Sequence, residues 1–401
     1  MRNHRRTPIS GLLVARLVAA IFAGSDLHAK QVLSIGHSVL GAMHADRAGV
    51  AAIGRAMAAA RGKKAKHAIK QVNGLLGNRK IKDEVAMKAH VEYVVGERKV
   101  VVVSLDWTEY PDEGHHRIAL NLVTKHGRAT PLVWKVVTKK QLTKHRNDHE
   151  DELLRLFRRV LPKGVELVIL LADRGFADIE LYDMLLGELG FHFIIRFRGD
   201  ITVQSTEGDT APAAQWVWTN GRTRLLSKAL VTRKRFEVGA VVNVKKAGMK
   251  EAWNLATSLS PENEELTRLR GAKSTGDDIV KLYSRRFTCE ENFRDEKDWR
   301  FGVAAKEVNL GSPERRSRLT LVIALAVALL TLLGAAGEAL GLDRQLRANT
   351  SRQRTHSLFR QGREYLRGVV GNAADTARKL RPAFTRAFWR QFRANEIFGE
   401  I

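Results

Sequence analysis

The sequence predicts a mixed α/β fold in which helical regions precede and follow a central sheet. Three observations predict it. Apolar residues recur at helical spacing through residues 1–95. From Arg98 onward, short Val- and Leu-rich runs separated by turn residues indicate strands. Helical periodicity returns near Gly276 and continues, with breaks, towards the C-terminus.

The composition indicates a globular protein of several domains. The 401 residues exceed one ordinary compact domain and predict two or three. The apolar share of 44% and charged share of 28% are typical of globular chains. The single cysteine, Cys289, excludes an intramolecular disulfide and a cysteine-based zinc site, and it favours a cytoplasmic location.

The net charge of +25 predicts a polyanionic partner, of which nucleic acid is the commonest. The charge is uneven, because residues 1–80 contain fourteen Lys or Arg and two acids, Asp26 and Asp46. Architectural proteins share this bias. The carboxylates placed beside apolar strands, described below, suggest more than charge neutralisation.

Residues 1–95 are predicted to form a helical DNA-binding domain. Helical spacing occurs in 9–23, 48–60 and 64–76, and Gly62 separates the last two in a helix–turn–helix-like arrangement. Four lysines at the start of the second helix are expected to contact DNA: Lys63, Lys64, Lys66 and Lys70. The alternative is a solvated basic face.

The central region begins with three predicted strands. They are Lys99–Leu105, His116–Val123 and Pro131–Val137, with turns at Asp112–Gly114 and His126–Gly127. The first of them is a continuous, Val-rich apolar run that ends on Asp106.

A helix follows, for which Asn147 or Asp148 is the expected cap. Its predicted apolar stripe is Leu153, Leu154, Phe157 and Val160. A buried strand (Glu166–Ala172), a short helix (Ala177–Leu189) and another strand (His192–Phe197) come next. A ribonuclease-H-like core has its strands and helices in this order, and residues 199–258 interrupt it as a predicted β insertion.

Leu319–Gly337 contains nineteen residues without a charge. This length approaches that of a membrane span. Because no other candidate span accompanies it, we interpret the segment as a helix buried behind the sheet. No membrane partner is expected.

Two aspartates follow buried apolar strands. Asp106 ends the run Ser104-Leu105-Asp106, and Asp173 ends the run Leu171-Ala172-Asp173. A carboxylate in such a place is costly unless something compensates it. One example fits a helix or loop cap, whereas two in one sheet favour a shared cation.

A helix after the β insertion completes the candidate site. On a continuous helix, Tyr283, Arg286, Glu290 and Lys297 fall within about 60° of one another. The alternative is an exposed ion-paired face, because Arg286 and Glu290 are four residues apart. Two Asp and one Glu suit Mg²⁺, and two such ions can catalyse phosphoryl displacement.

The spacing of these four residues resembles the signature of one transposase family. Two residues separate Tyr283 from Arg286, three separate Arg286 from Glu290, and six separate Glu290 from Lys297. This spacing matches the Tyr-Arg-Glu-Lys signature without a gap. The chain thus resembles a DDE transposase of the insertion-sequence-four family. The run from Arg286 to Lys297 is similar to the Tn-ten branch, although Phe287 and Cys289 stand where the family often has Trp and Ile.

The resemblance implies a ribonuclease-H-like core split by a β insertion, and a cut-and-paste reaction on double-stranded DNA through a hairpin. It implies that Asp106, Asp173 and Glu290 bind two Mg²⁺ ions per site, for which Mn²⁺ can substitute. Tyr283, Arg286 and Lys297 would contact phosphates at the transposon ends, within a homodimeric complex. Trp253 would stack on a flipped base, unless it is a core residue of a strand.

The expected domains are defined by residue ranges. The sequence predicts a helical DNA-binding domain at 1–95, followed by the first part of the core at 96–198 and the β insertion at 199–258. The second part of the core, with the Glu290 helix, is expected at 259–340, and a basic helical C-terminal region at 341–401. Two alternatives remain open: a DNA-binding protein without catalysis, and another ribonuclease-H-like nuclease.

Overall fold

The computed structural model describes residues 9–124, 129–260, 267, 275–288, 308–351, 354–368 and 373–394. Glu290, Lys297 and the predicted turn at His126–Gly127 lie outside the described residues.

The N-terminal residues form a group of packed helices, as their apolar periodicity predicts. The bounds are α1 Gly11–Ile21, α2 Ala29–His44, α3 Val50–Arg61, α4 Ala65–Leu76 and α5 Asp83–Val95. Gly62 ends α3 with a left-handed backbone, φ 62°, which a glycine adopts without strain. The predicted break between the second and third predicted helices is therefore confirmed at Gly62.

An eight-stranded mixed sheet forms the centre of the protein. Its order is β3-β2-β1-β4-β5-β12-β11-β8. β1 pairs with β4, and β4 with β5, in parallel, and the other neighbours are antiparallel. The first five strands in the chain are β1 Val100–Tyr110, β2 His115–Leu122, β3 Thr130–Thr138, β4 Leu167–Ala172 and β5 His192–Phe197. All five predicted strands are confirmed to within a few residues.

The first aspartate lies inside a strand and not at its end, contrary to the prediction. β1 pairs with β4 only as far as Leu105, opposite Ala172. Its antiparallel partner β2 continues, so Asp106 pairs with Ala119 and β1 reaches Tyr110. At Asp106, β1 therefore loses β4 as a neighbour but keeps β2.

The predicted cap of the next helix is also wrong. A short helix, α6 Lys139–Leu142, is followed by a left-handed Lys144, φ 65°, and α7 begins already at Arg146. Its N-cap is His145, and Asp148 lies in the first turn, where Oδ2 is 2.8 Å from His145 Nδ1. The helix runs Arg146–Val160, and its predicted apolar stripe is buried. α8 Ile179–Asp183 continues as a π-helix, Met184–Leu189.

Residues 199–258 contain strands, which divide between two sheets. A four-stranded sheet has the order β10-β9-β6-β7, while β12, β11 and β8 extend the main sheet from β5. The bounds are β6 Thr202–Gln204, β7 Thr210–Pro212, β8 Arg224–Ser227, β9 Leu230–Val231, β10 Phe236–Glu237, β11 Ala240–Val244 and β12 Trp253–Thr257.

A long apolar helix packs inside the protein. After α9 Gly276–Ser284, the helix α10 Pro313–Ala339 contacts β3, α2, α11 Leu358–Arg367 and α12 Ala373–Ala394. Within the described ranges it is the one helix long and apolar enough to cross a membrane, but 94% of its most apolar stretch is buried in the protein. Trp134 of β3 donates its indole N–H to Ser317 Oγ at 3.0 Å. The prediction of a helix buried behind the sheet is confirmed.

Candidate active site

The two predicted aspartates lie side by side in the main sheet. Leu105 and Ala172 form the last parallel pair between β1 and β4; Asp106 is the next residue of β1, and Asp173 is the first residue after β4. Adjacent strands are separated by about 4.8 Å, so the two carboxylates occupy one edge of the sheet. Both side chains remain partly accessible, at 25% and 39%.

Backbone groups orient both carboxylates. Asp106 Oδ1 accepts the N–H of Trp107 at 2.8 Å, and Asp173 Oδ1 accepts the N–H of Arg174 at 2.7 Å. Each bond stabilises the ionised carboxylate. The two aspartates therefore present negative oxygens at fixed positions.

Two arginines place positive charge beside these aspartates. Arg286 Nη1 is 3.7 Å from Asp106 Oδ2, and the Arg286 side chain is 6% exposed. Arg196 Nη1 on β5 is 4.0 Å from Asp173 Oδ1. Because each carboxylate has a guanidinium nearby, the repulsion between the adjacent negative charges is reduced.

The helix α9 brings Tyr283 and Arg286 to this edge together, as predicted. The continuous α-helix expected there is wrong, because α9 ends at Ser284 and Arg285–Phe287 form a tighter 3₁₀ turn. The Arg286 guanidinium carbon is 6.0 Å from the Tyr283 ring centre and 4.8 Å from that of Phe287. The pKa of Tyr283 is raised to about 12, chiefly by burial and also by Asp173, while Arg286 and Arg196 oppose the rise. Tyr283 is therefore a neutral hydrogen-bonding group at neutral pH.

Trp253, at the start of β12, packs against the same helix. Its ring centre is 5.1 Å from that of Tyr283, edge to face, and 5.8 Å from that of Phe287, nearly parallel. The indole is partly buried, whereas Phe287 is 41% exposed. The structure thus gathers five of the predicted site residues: Asp106, Asp173, Tyr283, Arg286 and Trp253.

Comparison with known protein families identifies the kind of protein to which this candidate site belongs. Residues 86–327 match the family model described as the transposase DDE domain. The chain belongs to this family. It is a DDE transposase, a metal-dependent nuclease and strand transferase whose substrate is DNA. No curated protein matches the chain significantly.

The transposase site includes a charged network that sequence reasoning missed. Arg196 donates to Glu251 Oε2 at 2.7 Å, and Arg174 donates to the same oxygen at 3.2 Å. The one sequence signal for Arg196 is a charged residue within the otherwise apolar run Phe193–Phe197. Nothing in the local sequence connects Arg196 with Glu251, fifty-five residues later.

A second missed cluster holds the start of α7 against β1. Trp107 donates its indole N–H to Glu150 Oε1 at 2.7 Å, and Arg146 Nε donates to the same oxygen at 3.0 Å. Burial raises the pKa of Glu150, although Trp107 and Arg146 counteract the rise. This cluster fixes the residue that follows Asp106 and so helps to position the carboxylate.

The four predicted DNA-contacting lysines lie at the α3–α4 junction of the transposase. Lys63 follows the left-handed Gly62, and Lys64 is the N-cap of α4. Lys66 and Lys70 lie on the helix, and all four side chains are exposed. Their accessibility permits contact with a phosphate backbone.

The donor set of the transposase suits a hard divalent cation. Asp106 and Asp173 supply carboxylate oxygens, which Mg²⁺ and Mn²⁺ prefer. In the described part of the chain, no group of three or more His, Cys, Asp and Glu residues is placed to hold a metal ion. The predicted third ligand, Glu290, lies beyond the last residue described in this segment, Thr288.

Proposed function

We propose that the protein is a cut-and-paste transposase of the insertion-sequence-four family, in the branch similar to Tn-ten. The observation that carries the proposal is the adjacency of Asp106 and Asp173, with Arg286 beside Asp106 and Tyr283 next to Arg286. The spacing from Tyr283 through Glu290 to Lys297 fits the signature of this family.

We assign the metal site to Asp106, Asp173 and Glu290. Three carboxylates would hold two Mg²⁺ ions, with Mn²⁺ as a substitute. When bound, these ions lower the pKa of a water or hydroxyl group and neutralise the developing charge on the leaving oxygen. The arginines at the site carry a further role, because they reduce the repulsion between DNA phosphates and the carboxylates.

Arg286, Tyr283 and Lys297 would bind the phosphates of a transposon end. Arg286 already presents its guanidinium at the aspartates, and a guanidinium binds phosphate through two hydrogen bonds. Tyr283 remains protonated, so its hydroxyl can donate to a phosphate oxygen. Arg286 lies beside Asp106, and Asp173 acts electrostatically on Tyr283, so both side chains would flank a phosphate held at these carboxylates.

Trp253 and Phe287 would accommodate the base displaced when a hairpin forms. The two rings are nearly parallel, 5.8 Å apart, and Phe287 is exposed. Aromatic side chains bind unstacked bases without strong sequence preference. The packing of Trp253 on Tyr283 links this binding surface to the reacting phosphate.

The reaction would proceed by successive in-line displacements. A water oxygen bonds to phosphorus as the bond from phosphorus to a 3′ oxygen breaks, which leaves a 3′-hydroxyl on the element. That hydroxyl attacks the opposite strand, releases the flanking 3′-hydroxyl and forms a hairpin. Water attacks the hairpin phosphorus and displaces the 3′-hydroxyl of the element, which then attacks a phosphate of target DNA and displaces a 3′-hydroxyl of the target strand.

The remaining regions would bind and pair the ends. Residues 1–95 would bind the inverted repeats with Lys63, Lys64, Lys66 and Lys70 on the DNA. The core would comprise 96–198 and 259–340, separated by the insertion 199–258, and followed by the basic region 341–401. A homodimer would pair two ends in the cytoplasm, since cut-and-paste transposition must cut both.

A time course on labelled DNA tests this proposal. The substrate carries the gene's own flanking sequence and is incubated with purified protein and Mg²⁺ or Mn²⁺. The proposal predicts a nick at a fixed position, then a hairpin, then the reopened end. Binding with no nick would favour a DNA-binding protein without catalysis, and a double-strand break without a hairpin would contradict the assigned branch.

A further inference from the structure

A cluster of two tryptophans and an arginine lies between β7 and β8. The Arg224 guanidinium carbon is 4.5 Å from the Trp216 ring centre and 5.7 Å from that of Trp218. Trp216 is 5% exposed and anchors the cluster, whereas Trp218 is 43% exposed. We call these three residues the Trp–Arg patch.

Positive charge surrounds the Trp–Arg patch. Arg222, Lys245 and Lys246 are exposed, and a Cβ on Gly221 would lie 3.7 Å from the Lys245 carbonyl oxygen. Asp277 binds Lys246 at 2.9 Å and therefore neutralises one of these charges. An exposed indole beside an anchored guanidinium and basic side chains fits a nucleic acid strand.

The Trp–Arg patch shares a sheet edge with the aspartates. Across the sheet, Arg224 pairs with Asn243, Asn243 with Asn254, and Asn254 with Phe197. Phe197 ends β5, whose parallel neighbour β4 ends immediately before Asp173. Four strand spacings separate β4 from β8, which corresponds to about 19 Å.

The helix α9 also connects the Trp–Arg patch with the aspartates, independently of the sheet. Its N-terminal Asp277 accepts a hydrogen bond from Thr223 Oγ1 at 2.7 Å, next to Arg224. Its last turn carries Tyr283, beside Asp173. Seven residues of helix measure about 11 Å, so α9 also places the patch within about half a turn of DNA from the site.

We propose that the Trp–Arg patch binds the DNA strand that extends from the active site along this edge. Arg224 would bind a phosphate, and Trp218 would pack on the adjacent sugar and base. At 3.4 Å per base step, the contact lies about four to six base pairs from the cleaved bond. The position in the DNA rests on the proposed active site, whereas DNA binding by the patch does not.

The test measures DNA affinity and protection by the Trp218→Ala variant. The probe is a fluorescein-labelled duplex of the gene's flanking sequence, without divalent metal, so that it stays intact. Trp218→Ala should weaken binding about fivefold or more. It should also expose the backbone to hydroxyl radicals four to six base pairs from the nick that wild type makes with Mg²⁺. Trp218→Phe should retain both properties.

Trp389→Ala is the matched control, because Trp389 is similarly exposed, at 41%, and lies on α12, outside the Trp–Arg patch. It should leave the protection near the nick unchanged. Unchanged affinity and protection in Trp218→Ala would overturn the inference, and so would a protection lost elsewhere in the DNA. Failure of wild type to nick would contradict the proposed function instead, while the affinity comparison would still decide whether the patch binds DNA.

Discussion

The guanidinium of Arg286 lies 3.7 Å from Asp106 Oδ2, and this pair connects the 3₁₀ turn after α9 to the central sheet at the candidate active site. The arginine reduces the mutual repulsion of Asp106 and Asp173, which is also what a divalent ion would do. We therefore expect Arg286 and the ion to compensate partly for each other.

Replacing Arg286 with Gln should increase the stabilisation that Mg²⁺ gives. With the positive charge removed, the aspartates bind the ion about tenfold more tightly, and saturating Mg²⁺ should raise Tm about 2–4 °C more than in wild type. Scanning calorimetry with and without Mg²⁺ measures this. Arg155→Gln on α7 removes an equal charge whose partners are Asp151 and Glu188, and it should leave the shift unchanged. An identical shift in all three proteins would refute the compensation.

The ion pair of Glu113 and Arg316 should stabilise the fold strongly. The Glu113 side chain is 3% exposed and that of Arg316 is 1% exposed, and the pair joins the β1–β2 turn to α10. Glu113→Ala leaves a buried guanidinium without its carboxylate, which should cost about 3–5 kcal/mol of unfolding free energy. Urea denaturation provides the measurement. Glu109→Ala, at a 72% exposed position on the same hairpin, should cost less than about 1 kcal/mol.

His90 should make the protein less stable as pH falls. Complete burial lowers its pKa to about 4, although its hydrogen bond to the Pro131 carbonyl, at 2.7 Å, opposes the change. Between the unfolded value of about 6.5 and the folded value of about 4, only the unfolded chain binds this proton. Stability is thus full above pH 6.5 and decreases towards pH 4. His90→Gln should remove about one proton from that pH slope, and an unchanged slope would disprove the prediction.

Helices α10 and α11 touch at Gly362, where a larger residue should not fit. A Cβ there would lie 1.9 Å from the Leu330 carbonyl oxygen. Gly362→Ala should destabilise the protein by about 1–3 kcal/mol or more, because the helices must separate. Gly74 in α4 has nothing within 4 Å of its Cβ position, and Gly74→Ala should stabilise by up to about 1 kcal/mol. Opposite signs in thermal unfolding would confirm the contact.

The strands of the core could be predicted because they consist of apolar runs and because turn residues mark where they begin and end. Asp106 and Asp173 stood out for the same reason, since each follows such a run. The run ends where the parallel neighbour is lost, and the antiparallel neighbour keeps Asp106 within β1. The local sequence carries no signal for a partner that continues on one side only.

The order of the outer strands could not be predicted. β12, β11 and β8 extend the main sheet, whereas the sequence of 199–258 indicates only that strands are present. Consequently, the pairing of Arg196 with Glu251 and the position of Arg224 on the catalytic edge were not expected. Each depends on contacts between residues that are distant in the chain.

The most direct test of the assigned active site is a comparison of cleavage and binding by wild type, Asp106→Asn and Glu290→Gln. All three proteins are incubated with DNA carrying the gene's flanking sequence and Mg²⁺, and both products and bound DNA are quantified. We predict equal binding, with nicking reduced by roughly 10³-fold or more in both variants. Asp112→Asn, in the turn after β1, is the control and should cleave normally. Nicking at the wild-type rate by either variant would contradict the assignment of these carboxylates.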